Sequence, residues 1–513
     1  MKNGLPFDLA VLERARLSRD PRFDGKFFIG VTSTGIYCRP VCPAAPAARN
    51  RTRYFLSAAA AHAAGFRPCL RCRPEAAPGT PAWTGTSAVV RRALRLIEDG
   101  ALDGSTVTQF ATRLGVGSRH LDRLFARHVG ASPLAVAQTR RLHFAKRLID
   151  DSELPMTEVA LAAGFGSLRR FHAAFRATYG RPPRELRRHR GETPLAAADE
   201  VCLTLSYRPP YDWGQVLRFL GMRAIPGVET VDTRSYARLI RTADTHAEIS
   251  VQPVPDRDAL ELRVRGAPAG SLFQIASAAR RVFDLSADPQ RITDTLRTDR
   301  LLRPLIGHRP GLRIPGAWDG FECAVRAVMG QQVTVAAART LAARLVRRMG
   351  QPASAGAGLT HLFPTPQALA VAPLEGLGLT GARITALRAL ATAVAAGRIV
   401  FDRPAAEVIG HLRELPGFGE WTAQYVALRA LGEPDALPCA DRVLRRMAAD
   451  GAAPLTTQEM QRRAEPWRPW RGYAALHLWC AAGERDMRTT ASRRGSRDAG
   501  QAKAVPPTGQ SPP

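Results

Sequence analysis

The sequence has little acidic charge, few aromatic side chains and no long hydrophobic run. Asp and Glu number 45 against 73 Lys and Arg, which leaves a formal net charge of +28. A basic surplus of this size favours a polyanionic partner, most commonly nucleic acid. A coding bias towards arginine would also raise the net charge. No segment is apolar for long enough to span a bilayer, and the N-terminus lacks a signal-peptide core. We therefore expect a soluble, cytoplasmic protein with no membrane partner.

Cysteine is also scarce, since eight residues among 513 are too few for a disulfide framework. Four of them, Cys38, Cys42, Cys69 and Cys72, form two short pairs near the N-terminus. Each pair supplies two thiolates from one turn, which is what a tetrahedral zinc ion needs. The spacing therefore predicts one zinc site, and on spacing alone a purely structural site is the commoner interpretation.

The length and three polar or Pro/Gly-rich breaks indicate several domains. The breaks lie at 76–86, at 191–200 and from about 488 onwards. We predict a multidomain α+β protein with these parts: a small zinc-bound α/β domain (1–76), an all-α domain with two helix-turn-helix units (85–190), a mixed α+β domain (201–290), an all-α domain (291–487) and a disordered basic tail (488–513).

Two stretches surround the cysteines, TGIYCRPVC at 34–42 and GFRPCLRC at 65–72. They resemble the N-terminal domain of the Ada-type adaptive-response regulators over about the first 75 residues. The resemblance implies that Cys38 irreversibly accepts a methyl group from a DNA methylphosphotriester and that the zinc ion is both structural and catalytic. Zinc keeps a thiolate deprotonated at neutral pH, and methylation of one thiolate removes one of the site's two net negative charges, so affinity for DNA should rise. The flanking Arg39, Arg67 and Arg71 are candidate phosphate contacts.

A turn signature is repeated in the basic helical segment 85–190. AxxxGVGS at 111–118 recurs as AxxxGFGS at 160–167. The pattern indicates a helix, a glycine-permitted turn and a serine cap that opens a second helix. A lone basic helix is usually just solvated, but this duplicated turn and the ending at 175–183 resemble an AraC-type DNA-binding domain. The resemblance implies that the second helices enter the major groove. The candidate contacts are Arg119, His120 and Arg123 in the first unit and Leu168, Arg169 and Arg170 in the second.

A Pro-Gly-Phe-Gly turn at 416–419 predicts a helix-hairpin-helix. The backbone N–H groups beside Gly417 and Gly419 would anchor a DNA phosphate, although many such turns only connect helices. Asp441 follows Trp421 by twenty residues, and this arrangement resembles the helix-hairpin-helix glycosylase superfamily, which places its catalytic carboxylate there. A carboxylate stabilises the oxocarbenium-like transition state of N-glycosidic cleavage. The alternative role of an Asp after a Pro-containing loop is a helix cap, which can coexist with catalysis.

Further landmarks narrow the resemblance to the AlkA-type 3-methyladenine DNA glycosylases. They are LTLSYRPPYDW at 203–213, GVET at 227–230, GLRIPG at 311–316 and WRPWRGYA at 467–474. The resemblance covers almost all of 201–487 and implies a base pocket walled by Trp421, Tyr425, Trp479 and Phe219. Such a wall would favour a cationic alkylated purine by about 1–2 kcal/mol of cation–π attraction. Taken singly, these aromatic residues are more often part of a core.

Some positions depart from the family pattern. Gln332 stands where some members place a leucine wedge that fills the gap left by the flipped base, so we expect Gln331 and Gln332 to contact DNA differently. Arg442 stands where some relatives have an aromatic residue. Related lyases carry a lysine at the position of Trp421, so we predict base removal without lyase activity. The cysteine pattern near Asp441 predicts no iron–sulfur cluster, and we expect no organic cofactor.

The segments together predict DNA alkylation repair joined to adaptive-response regulation. The expected partners are alkylated double-stranded DNA, promoter sites and RNA polymerase. The alternative is a transcription regulator whose C-terminal half binds damaged DNA without turnover. PCAD at 438–441 superficially resembles the acceptor motif of O6-methylguanine methyltransferases but lacks its histidine, so that repair is not expected.

Overall fold

The computed structural model describes residues 7–78, 88–187, 200–242, 245–353, 356, 358–449, 451 and 453–485. The tail predicted at 488–513 and most of the predicted breaks at 76–86 and 191–200 lie outside the described residues. Within the described ranges, no helix has the length and apolar character required to cross a membrane. The predicted multidomain α+β class is confirmed.

The N-terminal part is a four-stranded sheet with two helices packed against it. Its elements are α1 (Leu9–Leu17), β1 (Phe28–Val31), β2 (Ile36–Cys38), β3 (Thr52–Phe55), α2 (Ala58–Ala63) and β4 (Arg67–Pro68). The strand order is β3-β1-β2-β4, and only the β2–β4 pair is parallel. A side chain at Gly30 would place its Cβ 2.8 Å from the rings of Phe55 and Phe66, so glycine lets these rings close the core over β1.

The second part is helical and contains the predicted pair of helix-turn-helix units. Its elements are α3 (Ala88–Glu98), α4 (Val107–Arg113), α5 (Ser118–His128), α6 (Pro133–Asp151), α7 (Met156–Ala162) and α8 (Leu168–Tyr179). Gly115 and Gly164 take φ of 75° and 82° in the two turns, a conformation that glycine adopts at low cost. Ser167 caps α8 as predicted, by accepting from Arg170 N at 3.5 Å. In the first unit, however, Gly117 is the N-cap and Ser118 is already helical.

The third part is a five-stranded antiparallel sheet with two helices. Its elements are β5 (Glu200–Ser206), α9 (Trp213–Arg223), β6 (Glu229–Val231), β7 (Tyr236–Arg241), β8 (His246–Pro253), β9 (Ala259–Arg265) and α10 (Leu272–Val282). The strand order is β5-β9-β8-β7-β6. Alternate residues of β5 are buried, as expected for a sheet with one covered face.

The fourth part is mostly helical. Its elements are α11 (Pro289–Leu296), α12 (Leu302–His308), α13 (Gly320–Met329), α14 (Val335–Met349), β10 (Gln351–Pro352), β11 (His361–Leu362), α15 (Pro366–Val371), α16 (Gly381–Ala395), α17 (Ala405–Arg413), α18 (Glu420–Arg429), α19 (Arg442–Met447), α20 (Thr457–Arg463) and α21 (471–485). The two short strands form a hairpin within the segment predicted as all-α. A large apolar cluster centred on α13, α16, α18 and α21 forms the core of this part.

The second and third parts share one hydrophobic core. Buried side chains of α6, α7 and α8 belong to the same cluster as those of β5, α9 and α10. At its centre, Phe144 of α6 meets Phe273 of α10 edge to face, with the ring centroids 4.8 Å apart. The first helix-turn-helix unit has a separate cluster around Phe110 and Phe125. The second helix-turn-helix unit is therefore packed against the mixed α+β domain.

Polar contacts attach the N-terminal part to the rest of the chain. Lys26 Nζ donates to Asp288 Oδ1 at 2.6 Å, and both side chains are buried. The Tyr37 hydroxyl lies 3.0 Å from His143 Nε2 on α6. Burial lowers the pKa of His143 to about 3, so the ring is neutral at physiological pH. Tyr37 directly precedes Cys38, so the start of the cysteine group is tied to the helix that leads into the second helix-turn-helix unit.

Candidate functional site

The four N-terminal cysteines converge on one point. Their sulfur atoms all lie within 4.8 Å of one another. Cys38 ends β2 and Cys69 follows β4, and the parallel pairing of these strands brings the two cysteine pairs together. Four thiolates at this separation suit a tetrahedral zinc ion. Cys69 and Cys72 are buried, whereas Cys38 and Cys42 are partly exposed, so one pair is open to a ligand from solvent.

The three arginines predicted to hold phosphates lie in different surroundings. Arg39 Nε donates to Asp24 Oδ1 at 2.8 Å, Arg39 Nη1 donates to the Cys72 carbonyl at 3.0 Å, and only 13% of the side chain is exposed. Arg39 therefore braces the cysteine loops from inside. Arg67 and Arg71 are exposed beside the cysteine group, where both side chains are open to a phosphate.

The candidate major-groove residues all lie on open surface near the starts of α5 and α8. Each of the six is exposed: Arg119, His120, Arg123, Leu168, Arg169 and Arg170. The apolar faces of the same two helices bury Leu121, Phe125, Phe171 and Phe175. The exposed face of each helix, which carries the candidate residues, is therefore supported by packed side chains on the opposite face.

Asp441 lies at the point where three hydrogen-bond donors meet. Its Oδ2 accepts from Trp421 Nε1 at 2.9 Å, and its Oδ1 accepts from Trp479 Nε1 at 3.3 Å. Oδ1 also accepts from Leu444 N at 2.9 Å, which caps α19. The capping role considered from the sequence is thus present, and it coexists with contacts to two of the predicted pocket aromatic residues. Both oxygens are fixed, one beside each indole.

The aromatic residues form a row with arginines at one end. The rings of Trp421 and Tyr425 are stacked, with centroids 5.2 Å apart and an interplanar angle of 9°. Arg429 Nη1 donates to the Tyr425 hydroxyl at 2.8 Å. Phe219 is buried beyond them, and the guanidinium carbons of Arg223 and Arg429 lie 3.7 and 4.5 Å from its ring centroid.

The structure thus places Phe219 behind the aromatic row, where guanidinium groups already cover its ring. Of the four predicted pocket residues, Trp421, Tyr425 and Trp479 are partly exposed. The sequence interpretation missed Arg429. The signal for it was its position one helical turn after Tyr425, on the same face of α18.

The hairpin turn and the Gln331–Gln332 turn lie side by side. Gly417 has φ of 79°, and a Cβ there would lie 2.9 Å from the Ala386 side chain, so this turn requires glycine. Gly419 is the N-cap of α18. Gln331 Nε2 donates to the Gly417 carbonyl at 2.8 Å, so Gln331 braces the hairpin. Gln332 is exposed and has φ of 55°, so its side chain projects from a strained turn.

A relative matches almost the whole chain. The probable bifunctional transcriptional activator/DNA repair enzyme AlkA of Mycobacterium tuberculosis is 41% identical over 472 residues, which span 91% of this chain and 95% of the relative. This chain belongs to the same family. Proteins of this family join a transcriptional activator to a DNA repair enzyme in one polypeptide, as the four-cysteine group, the paired turns and the Asp441 site indicate for this chain.

Shorter matches agree with this assignment. Four family models match in order along the chain: the metal binding domain of Ada at 12–75, a helix-turn-helix domain at 110–189, the AlkA N-terminal domain at 202–319 and the HhH-GPD superfamily base excision DNA repair protein at 325–471. The DNA-3-methyladenine glycosylase 2 of Escherichia coli is 35% identical over 55% of this chain and 97% of its own length. The bifunctional transcriptional activator/DNA repair enzyme Ada of Escherichia coli is 35% identical over 34% of this chain and 48% of its own length.

Proposed function

We propose that the C-terminal half hydrolyses the N-glycosidic bond of alkylated bases such as 3-methyladenine, with Asp441 as the catalytic carboxylate. The observation that carries this proposal is the set of three donors that holds Asp441 against Trp421 and Trp479. A duplex hides its bases, so the damaged nucleotide must leave the stack to reach this site. We assign Gln332 to the gap that the flipped-out nucleotide leaves in the duplex. Gly417 and Gly419 would place the hairpin against the DNA backbone.

The reaction follows from the charge on the damaged base. Alkylation at a ring nitrogen gives the base a positive charge, and the exposed indole faces favour it by cation–π attraction. The C1′–N bond breaks with its electron pair going to the base, which leaves neutral, while positive charge develops on the sugar. The Asp441 carboxylate stabilises that charge. A water molecule then adds hydroxide to C1′ and releases its proton. Trp421 carries no amine to attack the sugar, so we propose hydrolysis without strand cleavage.

We further propose that Cys38 accepts a methyl group from a methylphosphotriester. The Cys38 sulfur attacks the methyl carbon, an S–C bond forms, and the C–O bond breaks with its electron pair left on the phosphodiester oxygen. Cys38, Cys42, Cys69 and Cys72 would hold one zinc ion, which when bound keeps the thiolates deprotonated. Cys38 is chosen over Cys69 and Cys72 because those two thiols are buried. Arg67 and Arg71 would hold neighbouring phosphates.

Methylation would act as a switch for promoter binding. Loss of one negative charge at the cysteine group weakens its repulsion of DNA. The paired helix-turn-helix units would then bind promoter DNA beside the zinc domain and recruit RNA polymerase. We propose the same domain bounds as from the sequence: 1–76, 85–190, 201–290 and 291–487. The chain would act on chromosomal DNA in the cytoplasm.

The first experiment measures free-base release from methylated duplex DNA by the wild-type chain and by Asp441→Asn. We expect release of 3-methyladenine by the wild type and a loss of about 10²–10³-fold in the variant, because a preorganised charge is removed from the transition state. Asp435→Asn, which weakens the ion pairs of Asp435 with Arg468 and Arg471 near the same loop, is the matched control and should retain activity. Release by neither protein would leave the C-terminal half as a damage-binding module.

The second experiment measures intact mass after exposure to methylphosphotriester DNA. We expect one added methyl group, located on Cys38 by peptide mapping. Cys38→Ser should gain none, whereas Cys202→Ser, which lies in β5 outside the cysteine group, should gain one. A methyl group on Cys42 in the wild type would refute the assignment of Cys38.

A further inference from the structure

A cavity of about 620 Å³ lies where the four parts of the chain meet. Its walls come from the zinc domain near Glu75, from α3 and α6, from α10, and from the segment 428–434, which includes the end of α18. The four clustered cysteines, Asp441 and the exposed pocket rings do not line it. Arg429, which contacts Tyr425 and Phe219 at the end of the aromatic row, also lines the cavity. The remaining walls are separate from both sites described above.

Positive charge predominates in the walls. Nine arginines and four carboxylates line the cavity. Burial raises the pKa of Glu75, Glu98 and Glu433, and it raises the pKa of Asp284 to about 6. These shifts favour the neutral forms of the acids, whereas arginines stay charged. Arg140, Arg281 and Arg403 pair with carboxylates that do not line the cavity, so the surplus of positive charge rests on the other arginines.

Several of these guanidinium groups are incompletely paired. Arg92 Nη2, Arg140 Nε, Arg147 Nε and Arg280 Nη2 are buried nitrogen atoms without a hydrogen-bond partner. Among the residues that the structure describes, no carboxylate oxygen lies within 4.0 Å of the guanidinium of Arg92, Arg147 or Arg280. Burial, together with the nearby charge of Arg280, lowers the pKa of Arg147 to about 10. Each of these three guanidinium groups donates to a backbone carbonyl but has no opposite charge beside it. Burying a charge without an opposite charge is costly, so an anion placed here would relieve a cost already present in the fold.

The other walls of the cavity are apolar. The Phe144–Phe273 pair forms one side, and the Arg140 guanidinium carbon lies 4.0 Å from the Phe273 ring centroid. Cavities of roughly 300–1,000 Å³ are typical of small-molecule sites, so this volume is larger than a lone phosphate ion requires. Guanidinium groups match phosphate oxygens in charge and in paired hydrogen-bond geometry. The walls therefore combine a phosphate-binding end with an apolar surface for an attached organic group.

We propose that this cavity binds an organic phosphate monoester, whose phosphate pairs with Arg147 and Arg280 and whose apolar body lies against Phe144 and Phe273. Since all four parts contribute to the walls, a bound molecule stabilises their packed arrangement. The site thus links the cellular supply of such a phosphate to the attachment of the zinc and helix-turn-helix parts to the glycosylase.

The test is calorimetric titration of the full chain with deoxyadenosine monophosphate, with deoxyadenosine and inorganic phosphate as separate titrants. We expect the monophosphate to bind at least tenfold more tightly than either fragment and to raise the thermal midpoint. The double variant Arg147→Gln/Arg280→Gln should lose at least tenfold in affinity. Inorganic phosphate that binds as tightly as the monophosphate would overturn the organic part of the assignment.

Two further variants separate this cavity from the DNA-binding sites. Trp421→Ala in the base pocket and Arg169→Gln on α8 should keep wild-type affinity for the monophosphate. Loss of binding in either, or unchanged binding in the double arginine variant, overturns the proposal whatever the outcome for glycosylase activity. Without ligand, Arg147→Met should be at least as stable as the wild type, because it removes a buried charge that lacks a carboxylate partner. A clear loss of stability in the ligand-free variant would also count against an anion site.

Discussion

Truncation of Phe144 tests whether the second helix-turn-helix unit and the mixed domain unfold together. Phe144 is 4% exposed on α6 and its partner Phe273 is 9% exposed on α10. A buried Phe→Ala change costs about 3–5 kcal/mol, of which the edge-to-face ring contact accounts for about 1 kcal/mol. Single domains are typically stable by about 5–15 kcal/mol, so Phe144→Ala should remove a large share of the stability of the shared core.

Tryptophan fluorescence during urea unfolding reports on the C-terminal half of the chain, 201–487, separately from the N-terminal half. Six of the seven tryptophans lie within 201–487, so the signal reports on the mixed and helix-hairpin-helix parts. With a urea slope of about 1–3 kcal/mol/M, Phe144→Ala should lower the midpoint by about 1 M or more, although the substitution lies outside that segment. Base release measured after incubation in urea should be lost over the same range.

Phe110→Ala is the matched control. Phe110 is 1% exposed, and it belongs to the separate cluster of the first helix-turn-helix unit. Its truncation should leave the tryptophan transition close to that of the wild type. If Phe144→Ala and Phe110→Ala both leave that transition unchanged, the two halves unfold independently and the shared core is refuted.

Three further predictions concern buried charge and strain. Burial lowers the pKa of His477 to about 4, so between about pH 6.5 and 4 only the unfolded chain takes up this proton. The unfolding free energy should therefore fall by about 1.4 kcal/mol for each unit by which the pH is lowered in that range. The urea midpoint of His477→Gln should depend less on pH than that of the wild type. Lys26→Met leaves the buried Asp288 carboxylate without its cation and should lower the free energy of unfolding in urea by about 3–5 kcal/mol. A change near zero would contradict a buried ion pair. Gln332→Gly removes the strain of a left-handed backbone and should raise the free energy of unfolding by about 1 kcal/mol. It should also slow base release from duplex DNA, and undiminished release would contradict the role of Gln332 in filling the gap left by the flipped base.

Local spacing explains why much of the organisation was predictable. The turn glycines of both helix-turn-helix units and the convergence of the four cysteines depend on residues close together in the chain or on one strand pairing. Asp441 and Trp421 are twenty residues apart, and a helix followed by a loop brings them into contact. The resemblance to known families supplied Trp479, which no spacing argument would have joined to Asp441.

Contacts between distant segments were not predictable in the same way. The sequence suggested Arg39 as a phosphate contact, but its neighbour in space is Asp24, whose position depends on how the loop before β1 folds. Phe219 was assigned to the pocket wall, yet Arg429 reaches it from a helix about two hundred residues away. Hydrophobic periodicity shows that α6 and β5 each have a buried face, but not that these faces cover one another.

The shared core also fixes a stoichiometry. Under the proposed function, each chain can record one backbone methylation and is then spent as a sensor, whereas its carboxylate site turns over repeatedly. Both sites lie in one polypeptide, and α6 to α8 are packed into the core of its mixed domain, so every sensor molecule carries one glycosylase and every glycosylase carries one sensor. Any change in the amount of this chain therefore alters sensing and excision capacity in a fixed one-to-one ratio, and a cell with spent sensors retains its full number of excising sites.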